Sequence, residues 1–597
     1  MPTGTDGREA ALRARLDATP TPYDLLAQIA AERPDHPALD YLPDAAGSPP
    51  ITTSYAALVR EIRQMTAALR AAGVGPEDGI AILLPFVPQA VTALIAATAA
   101  GIAFPMNLLL SAEALTAQMT LARVRVVVTM GPHPALDVHA RVMAAVASVP
   151  MVTTVVEVPM GAARPGAVTW ADFVGTGADG GTGADGAVDP DDPDRVAAFI
   201  HTGGTTGAPR LAQLSARNLA AATLMAAAGS GMAAEDRVLT GLPLFHVGGA
   251  VDVLLAALSQ GATVIFPTAT ALRNPAVVGR FWQIVDETAT SMIGSVPTIL
   301  AAIADSPRGS ARLDRLRAIL TGGSPLAPEL AARVEKIAAR PVCQLYGMTE
   351  TGGIVSVQPA DGRFHDHAVG PPVPLARVAL GAVDAACLPG ARGEVLVSGP
   401  HVFQGYRTAA GTVDRPQDGW LRSGDLGEVL PSGELRIIGR AKDVIIRSGH
   451  NIDPVAIEEV AHAHPAVAQA AAVAMPDDYA GELPVLYVMP RAGMTCTEDD
   501  IAAFMAAHIA EPPARPRHVF VLPDLPLTPL GKIARFRLRQ LAAEHRVRAA
   551  LGDTGDGLVV ACEDPAAKRI TIGGEVTPDR WRAIEAVLAR LGLGLAG

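Results

Sequence analysis

The segment FIHTGGTTGAPRLAQLS, residues 199–215, holds the densest concentration of groups suited to chemistry. A β-like run, Val196–Ile200, leads into Thr202, Gly203, Gly204, Thr205, Thr206 and Gly207, followed by Pro209 and Arg210. Glycines expose backbone N–H groups with no Cβ in the way, and threonines add hydroxyl donors. Such a loop can wrap polyphosphate oxygens through a nest of amides. No Gly-Lys-Ser/Thr follows at the spacing of a Walker A loop. A Gly/Thr turn of this kind is more often purely structural, so the loop alone does not decide the chemistry.

Other candidates are ordinary one at a time. His246 alone reads as a satisfied structural histidine, and Asp425 after a glycine as the end of a turn. Glu350 after a threonine reads as an N-terminal helix charge, and Lys532 after a glycine as a solvated cation. Their order along the chain is another matter. Thr202–Arg210 is followed by Leu242-Pro243-Leu244-Phe245-His246, Thr321-Gly322-Gly323-Ser324-Pro325-Leu326, Tyr346-Gly347-Met348-Thr349-Glu350 and Trp420-Leu421-Arg422-Ser423-Gly424-Asp425. Gly439-Arg440-Ala441-Lys442-Asp443 and Pro526-Leu527-Thr528-Pro529-Leu530-Gly531-Lys532-Ile533 complete the series.

These seven segments, in this order, resemble the motifs of the adenylate-forming superfamily, which includes acyl-CoA synthetases, peptide-synthetase adenylation domains and firefly luciferases. The pattern is closest to that of bacterial fatty-acyl-CoA synthetases. The family has serine where Gly203 stands and Lys-Gly where Arg210-Leu211 stand. Arg210 keeps the charge and Gly203 keeps the backbone donor, so phosphate binding is expected to survive both departures.

The resemblance implies a role for each site. Thr202, Gly203, Gly204, Thr205, Thr206, Gly207 and Arg210 would hold the phosphates of ATP. Gly323, Ser324 and Pro325 would hold adenine, with Tyr346 stacked on it. Thr349 would bond the α-phosphate, and Glu350 would hold Mg²⁺, which prefers hard oxygen ligands. Asp425 would bind the ribose hydroxyls and Arg440 ribose or phosphate, while His246 would border the acyl channel. Lys532 would bridge carboxylate and α-phosphate, Lys442 would be the hinge, and Gly449 would admit the pantetheine of coenzyme A. The implied reaction joins a carboxylic acid to coenzyme A through an acyl-adenylate, with ATP, Mg²⁺ and coenzyme A required.

The acid is less legible. Amino-acid-activating relatives place an Asp just after the aromatic residue near the channel, where this chain has His246 after Phe245. No acid stands adjacent, which speaks against an amino acid. Val247-Gly248-Gly249-Ala250 and Gly352-Gly353 are small, so a roomy apolar pocket for a medium- or long-chain fatty acid, or an alicyclic acid, is expected. Two alternatives remain: a ligase that loads a carrier protein, and a non-catalytic nucleotide-binding regulator. Retention of both Glu350 and Lys532 counts against the regulator. A serine hydrolase is disfavoured because no G-x-S-x-G elbow occurs.

The bulk properties fit an enzyme of this kind. A chain of 597 residues is too long for one core. Its formal net charge of −12 argues against nucleic acid as a partner. The four cysteines form no C-x-x-C pair, which favours a reducing, cytoplasmic setting. No signal peptide is evident at the start. Residues 80–110 carry no charge, yet Pro85, Pro88, Gly101 and Pro105 divide them into strand Ile80–Leu84, helix Gln89–Ala100 and strand Ile102–Phe104. That is a buried β-α-β unit and not a membrane span, so no integral membrane association is expected. The oligomeric state stays open, a homodimer being one option.

These segments must be positioned by an α/β scaffold. Ser54–Ala72 has helical spacing of Leu58, Ile62, Met65 and Leu69, ended by Gly73. Strand and helix patterns alternate to about residue 150 and resume from Val196 to about Arg340, the mark of mainly parallel sheets. The TGADG repeats of 175–186 read as a surface loop. From about 390 the texture is β-rich, with a hairpin at Gly433. An α+β region follows, with a helix near Val455–Ala463. The last fifty residues suggest a strand pair and a helix around Asp579–Leu591. The expected division is an N-terminal domain over 1–439, of mainly parallel sheets plus a β-rich subdomain. A small mobile α+β domain over 440–547 and an extension over 548–597 would follow.

Overall fold

A computed structural model describes residues 5–133, 136–161, 165–178, 192–202, 210–360, 368–383, 388–441, 443–448, 450–491, 493–528, 533–563, 568–574 and 576–596. The fold is mixed α/β: large, parallel-rich sheets in the N-terminal part, a β-rich four-stranded sheet, and a C-terminal α+β part. Among the described residues the first large sheet has nine strands. At its centre Ile102–Pro105, Gly79–Leu83, Val124–Met130 and Thr154–Val158 run parallel. The charge-free stretch is thus the expected buried β-α-β unit. Its helix, Pro88–Ala100, is buried along nearly its whole length because alanine and valine let it lie close against neighbours. No described helix is long and apolar enough to cross a membrane.

The second large sheet has eight strands in the described chain. Arg237–Thr240, Met292–Ser295, Ala318–Gly322 and Val342–Tyr346 lie parallel in that spatial order. Pro37–Leu42, far earlier in the chain, joins it by pairing in parallel with Thr263–Pro267. The helix Tyr55–Ala71 starts where expected: Ser54 caps it by accepting a hydrogen bond from the Ala57 N–H. Leu58, Ile62, Met65 and Leu69 all bury into the main core.

The four-stranded sheet is antiparallel: Arg377–Leu380, Arg392–Ser398, Trp420–Val429 and Leu435–Arg440. Its last hairpin turns at Gly433, where the Gly433 N–H donates to the Leu430 carbonyl. Beyond it, Val467–Asp477, Gly481–Pro490 and His518–Val521 build a further sheet, covered by Pro454–His462 and Glu498–His508. The buried Glu458 carboxylate pairs with Arg535 at the start of helix Arg535–Leu551 and accepts the Ala472 N–H, at 2.7 Å.

One expectation is corrected and another extended. Gly175–Ala178, read as the start of a loop, lie in the helix Trp170–Ala178, whose Trp170, Phe173 and Val174 bury against the core. Burial of those side chains overrides the glycine-rich composition; residues 179–191 fall outside the described residues. The tail does contain the paired strands Val559–Ala561 and Arg569–Gly573 and the helix Pro578–Arg590, but a third strand, Gly594–Leu595, pairs in parallel with the second. That strand is too short to carry a sequence pattern. Together with one face of Arg535–Leu551 the tail encloses its own apolar cluster, including Val547, Leu551, Ile570 and Ile584.

Candidate active site

Three of the motif segments leave the eight-stranded sheet at one edge. Leu242–His246 follows strand Arg237–Thr240, Thr321–Leu326 ends strand Ala318–Gly322, and Tyr346–Glu350 ends strand Val342–Tyr346. All three strands are parallel neighbours or next neighbours, so their carboxyl ends open on one crevice, where α/β sheets bind ligands. The buried Gln344 ties two of these segments together: its side-chain oxygen accepts the Leu326 N–H at 3.2 Å. Gly323, Ser324 and Pro325 lie in the turn before helix Pro328–Ala338.

The four-stranded sheet supplies the opposite wall. Asp425 and Arg440 are register partners on adjacent strands. The Arg440 Nε lies 3.0 Å from Asp425 Oδ1, and the Tyr346 hydroxyl donates to Asp425 Oδ2 at 2.8 Å. The Asp425 N–H donates to the Ser423 hydroxyl at 3.0 Å. Burial, and then the Asp425 carboxylate beside it, hold the Tyr346 phenol well above its usual range, so it stays a donor. Three residues separated by up to 94 positions thus form one polar cluster with a carboxylate at its centre.

Glu350 sits on the 3₁₀ turn Thr349–Thr351. Its carboxylate accepts a hydrogen bond from the Tyr406 hydroxyl, and its carbonyl accepts the Phe403 N–H at 2.9 Å. The Arg210 guanidinium lies over the Tyr406 ring, 4.1 Å from the centroid, and pairs with Asp414. Strand Tyr406–Thr408 pairs with Leu211–Ser215, placing Tyr406 opposite Ala212. The end of the Gly/Thr loop is therefore carried to Glu350 through one aromatic ring. Tyr406 was not legible as a site residue, because a tyrosine after a glycine in a β-rich stretch carries no signal of its own.

His246 is partly exposed, and its Nδ1 accepts the Gly248 N–H at 3.1 Å. The π-helical segment Gly248–Leu255 follows. The two small-residue segments, Val247–Ala250 and Gly352–Gly353, do come together, but the wall between them is not wholly apolar. Asp252 stands there, 3% exposed, with Oδ1 making no hydrogen bond. A Cβ built on Gly353 would lie 2.5 Å from that Oδ1 and 2.6 Å from Cγ. Burial pushes this carboxyl well above the carboxylate range. An acid six residues after His246 is invisible to a search for one immediately after the aromatic.

Among the predicted site residues, Thr202, Arg210, His246, Gly323, Ser324, Pro325, Tyr346, Thr349, Glu350, Asp425 and Arg440 lie in the described chain. Gly203, Gly204, Thr205, Thr206, Gly207, Lys442, Gly449 and Lys532 fall outside the described residues. Glu350 is a hard oxygen donor of the kind Mg²⁺ takes when ATP phosphates complete the shell. No cluster of three or more His, Cys, Asp or Glu suited to a metal occurs among the described residues.

The sequence model of the AMP-binding enzyme matches residues 26–407, well over half of the chain, and that of the AMP-binding enzyme C-terminal domain matches 456–532. The chain belongs to the AMP-binding enzyme family. A relative in the family, the marinolic acid–CoA ligase of Pseudoalteromonas sp. (strain SANK 73390), is 30% identical over 94% of this chain and 88% of its own. The sulfoacetate–CoA ligase of Cupriavidus necator is also 30% identical, over 87% of this chain and 98% of its own. Among solved members, ATP-bound MatB from Rhodopseudomonas palustris superposes with a TM-score of 0.73 at 26% identity, over 87% of this chain and 98% of that one. An anthranilate CoA ligase in complex with anthranoyl-AMP shares the fold, with a TM-score of 0.75 at 20% identity, over 88% of this chain and 97% of that one. The AMP-binding family thus extends over both large sheets and the α+β part.

Proposed function

We propose that this enzyme is an AMP-forming acyl-CoA synthetase: it activates a carboxylic acid with ATP and passes the acyl group to coenzyme A. The observation that carries this is the convergence of Tyr346, Asp425 and Arg440 into one cluster, with Glu350 in the next turn and Arg210 beside it. The near full-length likeness to enzymes named as CoA ligases supports the thioester step. The preferred acid under this proposal is a medium- or long-chain fatty acid or an alicyclic acid, since small residues line the wall beside His246.

A carboxylate cannot be displaced by a thiol, because oxide would have to leave. Attack of the carboxylate oxygen on the α-phosphorus forms the C–O–P mixed anhydride and breaks the bond to pyrophosphate. The thiol then attacks the acyl carbon, forms the thioester and expels AMP. The protein's task is positioning and charge neutralisation. Asp425 accepts hydrogen bonds from the ribose hydroxyls, giving up its bond from Tyr346 so that the ring is free to stack on adenine. Thr349 donates to the α-phosphate. Arg210, held on the Tyr406 ring, faces the departing pyrophosphate. Glu350 and the phosphates would hold Mg²⁺, which when bound neutralises phosphate charge. Lys532 would bridge carboxylate and α-phosphate, and the 440–547 part would turn about Lys442 to exchange that lysine for the pantetheine thiol near Gly449.

AMP and thioester formation, measured by mass spectrometry over a panel of acids with ATP, Mg²⁺ and coenzyme A, tests the proposal. Adenylate without thioester would assign the enzyme to carrier-protein loading instead, and the absence of both products would refute a ligase altogether. Two substitutions probe the site. Asp425→Ala leaves Tyr346 and Arg440 without their shared acceptor, and is expected to raise the KM for ATP by about 10- to 100-fold. An unchanged KM would exclude Asp425 from ribose binding. Tyr406→Phe removes one hydroxyl yet keeps the ring under Arg210. The Mg²⁺ concentration for half-maximal adenylation is expected to rise about 10-fold, with the thermal transition little changed.

A further inference from the structure

Asp252 is a buried carboxyl with no stated task. It lies on Gly248–Leu255 and reaches the turn that carries Glu350, three residues before Gly353. Only a residue without Cβ admits it there, and Gly353 has φ +115°, a backbone that disfavours other residues. The other glycine pair flanks it as well: a Cβ on Gly248 would lie 3.9 Å from Asp252 Oδ2. Both small-residue segments of the expected acyl wall therefore surround one carboxyl, which among the described residues makes no hydrogen bond through Oδ1 and pairs with no cation. Burying such a group unpaired destabilises the fold, and a valine of similar size would not carry that cost. A carboxyl kept at a ligand wall in this state is a recognition group awaiting its partner.

Resting on the ligase reading above, the geometry points to Asp252 as a specificity-determining residue that hydrogen-bonds a hydroxyl on the acid's chain, so that the preferred substrate is an otherwise apolar hydroxy acid. The surroundings select the hydroxyl. No described cation lies against the carboxyl, and burial pushes it above the usual carboxylate range, which favours a neutral partner over an ionic one. A hydroxyl donates to Oδ1 and can accept from the protonated oxygen, satisfying both atoms at once. An ammonium would have to be buried as an ion pair with Asp252, at the desolvation cost of two charges, whereas a hydroxyl brings none. An unsubstituted alkyl chain leaves Oδ1 as orphaned as it is now, and a site with a buried polar group discriminates against a ligand that cannot satisfy it.

The test compares kcat/KM for CoA-thioester formation from an aliphatic acid and from its monohydroxy analogues, with the hydroxyl moved along the chain. Wild type, Asp252→Val and Asp252→Asn are measured in parallel. Wild type is expected to prefer the hydroxy acid over its parent by about 10- to 100-fold at one chain position. Asp252→Asn, still a hydrogen-bonding group, keeps a preference of the same sign; Asp252→Val erases it and turns over the parent acid better than wild type does. Equal or better turnover of the parent by wild type at every position would overturn the inference while leaving the ligase intact. So would a ratio that Asp252→Val leaves unchanged, or a preference for the matching amino acid. Failure to turn over any acid would overturn the ligase reading and this inference with it.

Discussion

Replacement of Lys532 by alanine is expected to lower acyl-adenylate formation by about 10²- to 10³-fold while sparing thioester formation from supplied acyl-adenylate and coenzyme A. The size follows from losing one preorganised charge at the point where charge develops in the transition state. The split follows from chemistry: the lysine is needed while carboxylate and α-phosphate, both anionic, approach each other, and not once they are joined. The described residues on either side of it are held in place. Leu527 and Ile533, on either side, pair with each other, and the Ala534 N–H donates to the Pro526 carbonyl at 2.7 Å. Next, Arg535 is clamped by the buried Glu458. Separate assays of the two half-reactions check the prediction. Equal loss in both would show that Lys532 serves the fold or both steps, and the proposed division of labour would fall.

Gly347→Ala is expected to be the most damaging single methyl in the site. A Cβ there would overlap the Gly353 carbonyl oxygen and press on the Ile354 nitrogen, 2.7 Å away. These are main-chain atoms that cannot rotate aside, so the turn itself must open. That turn is closed by the Gly353 N–H donating to the Met348 carbonyl at 3.0 Å and the Val355 N–H donating to the Tyr346 carbonyl at 2.8 Å. Opening it displaces Tyr346 from Asp425, Glu350 from Tyr406 and Gly353 from Asp252 together. We expect a loss of about 3 kcal/mol or more in stability, read as a thermal transition lower by several degrees, with adenylation nearly abolished. A Gly347→Ala enzyme with wild-type melting and wild-type KM for ATP would show that the turn tolerates the methyl and that its closure does not position the site.

Much of the scaffold was legible because its signals are local. Pro85, Pro88 and Gly101 punctuate the charge-free stretch, and proline and glycine act within a residue or two of where they stand. The hairpin at Gly433 and the helix stop at Gly73 are of the same kind. The motif residues were legible as an ordered set, each weak alone. Tyr406 and Asp252 were not. Tyr406 is a site residue only because its strand pairs beside Ala212, nearly two hundred positions away, and Asp252 only because Gly353 leaves room for it. The helical start of the TGADG stretch was missed for a related reason: burial of Trp170 and Phe173 outweighs glycine's preference for turns.

The sequence by itself determined the family, the α/β order of elements and the identity of the polar groups, because periodicity, turn residues and motif order are properties of neighbours along the chain. Only the tertiary structure decided which strands share a sheet, as when Pro37–Leu42 joins strands more than two hundred residues later. Only it set Asp425 between Tyr346 and Arg440 and enclosed a lone carboxyl in a wall that reads as apolar. Contacts between distant segments are set by packing and burial, and a side chain's burial depends on every surface that meets it. No window of sequence contains those surfaces.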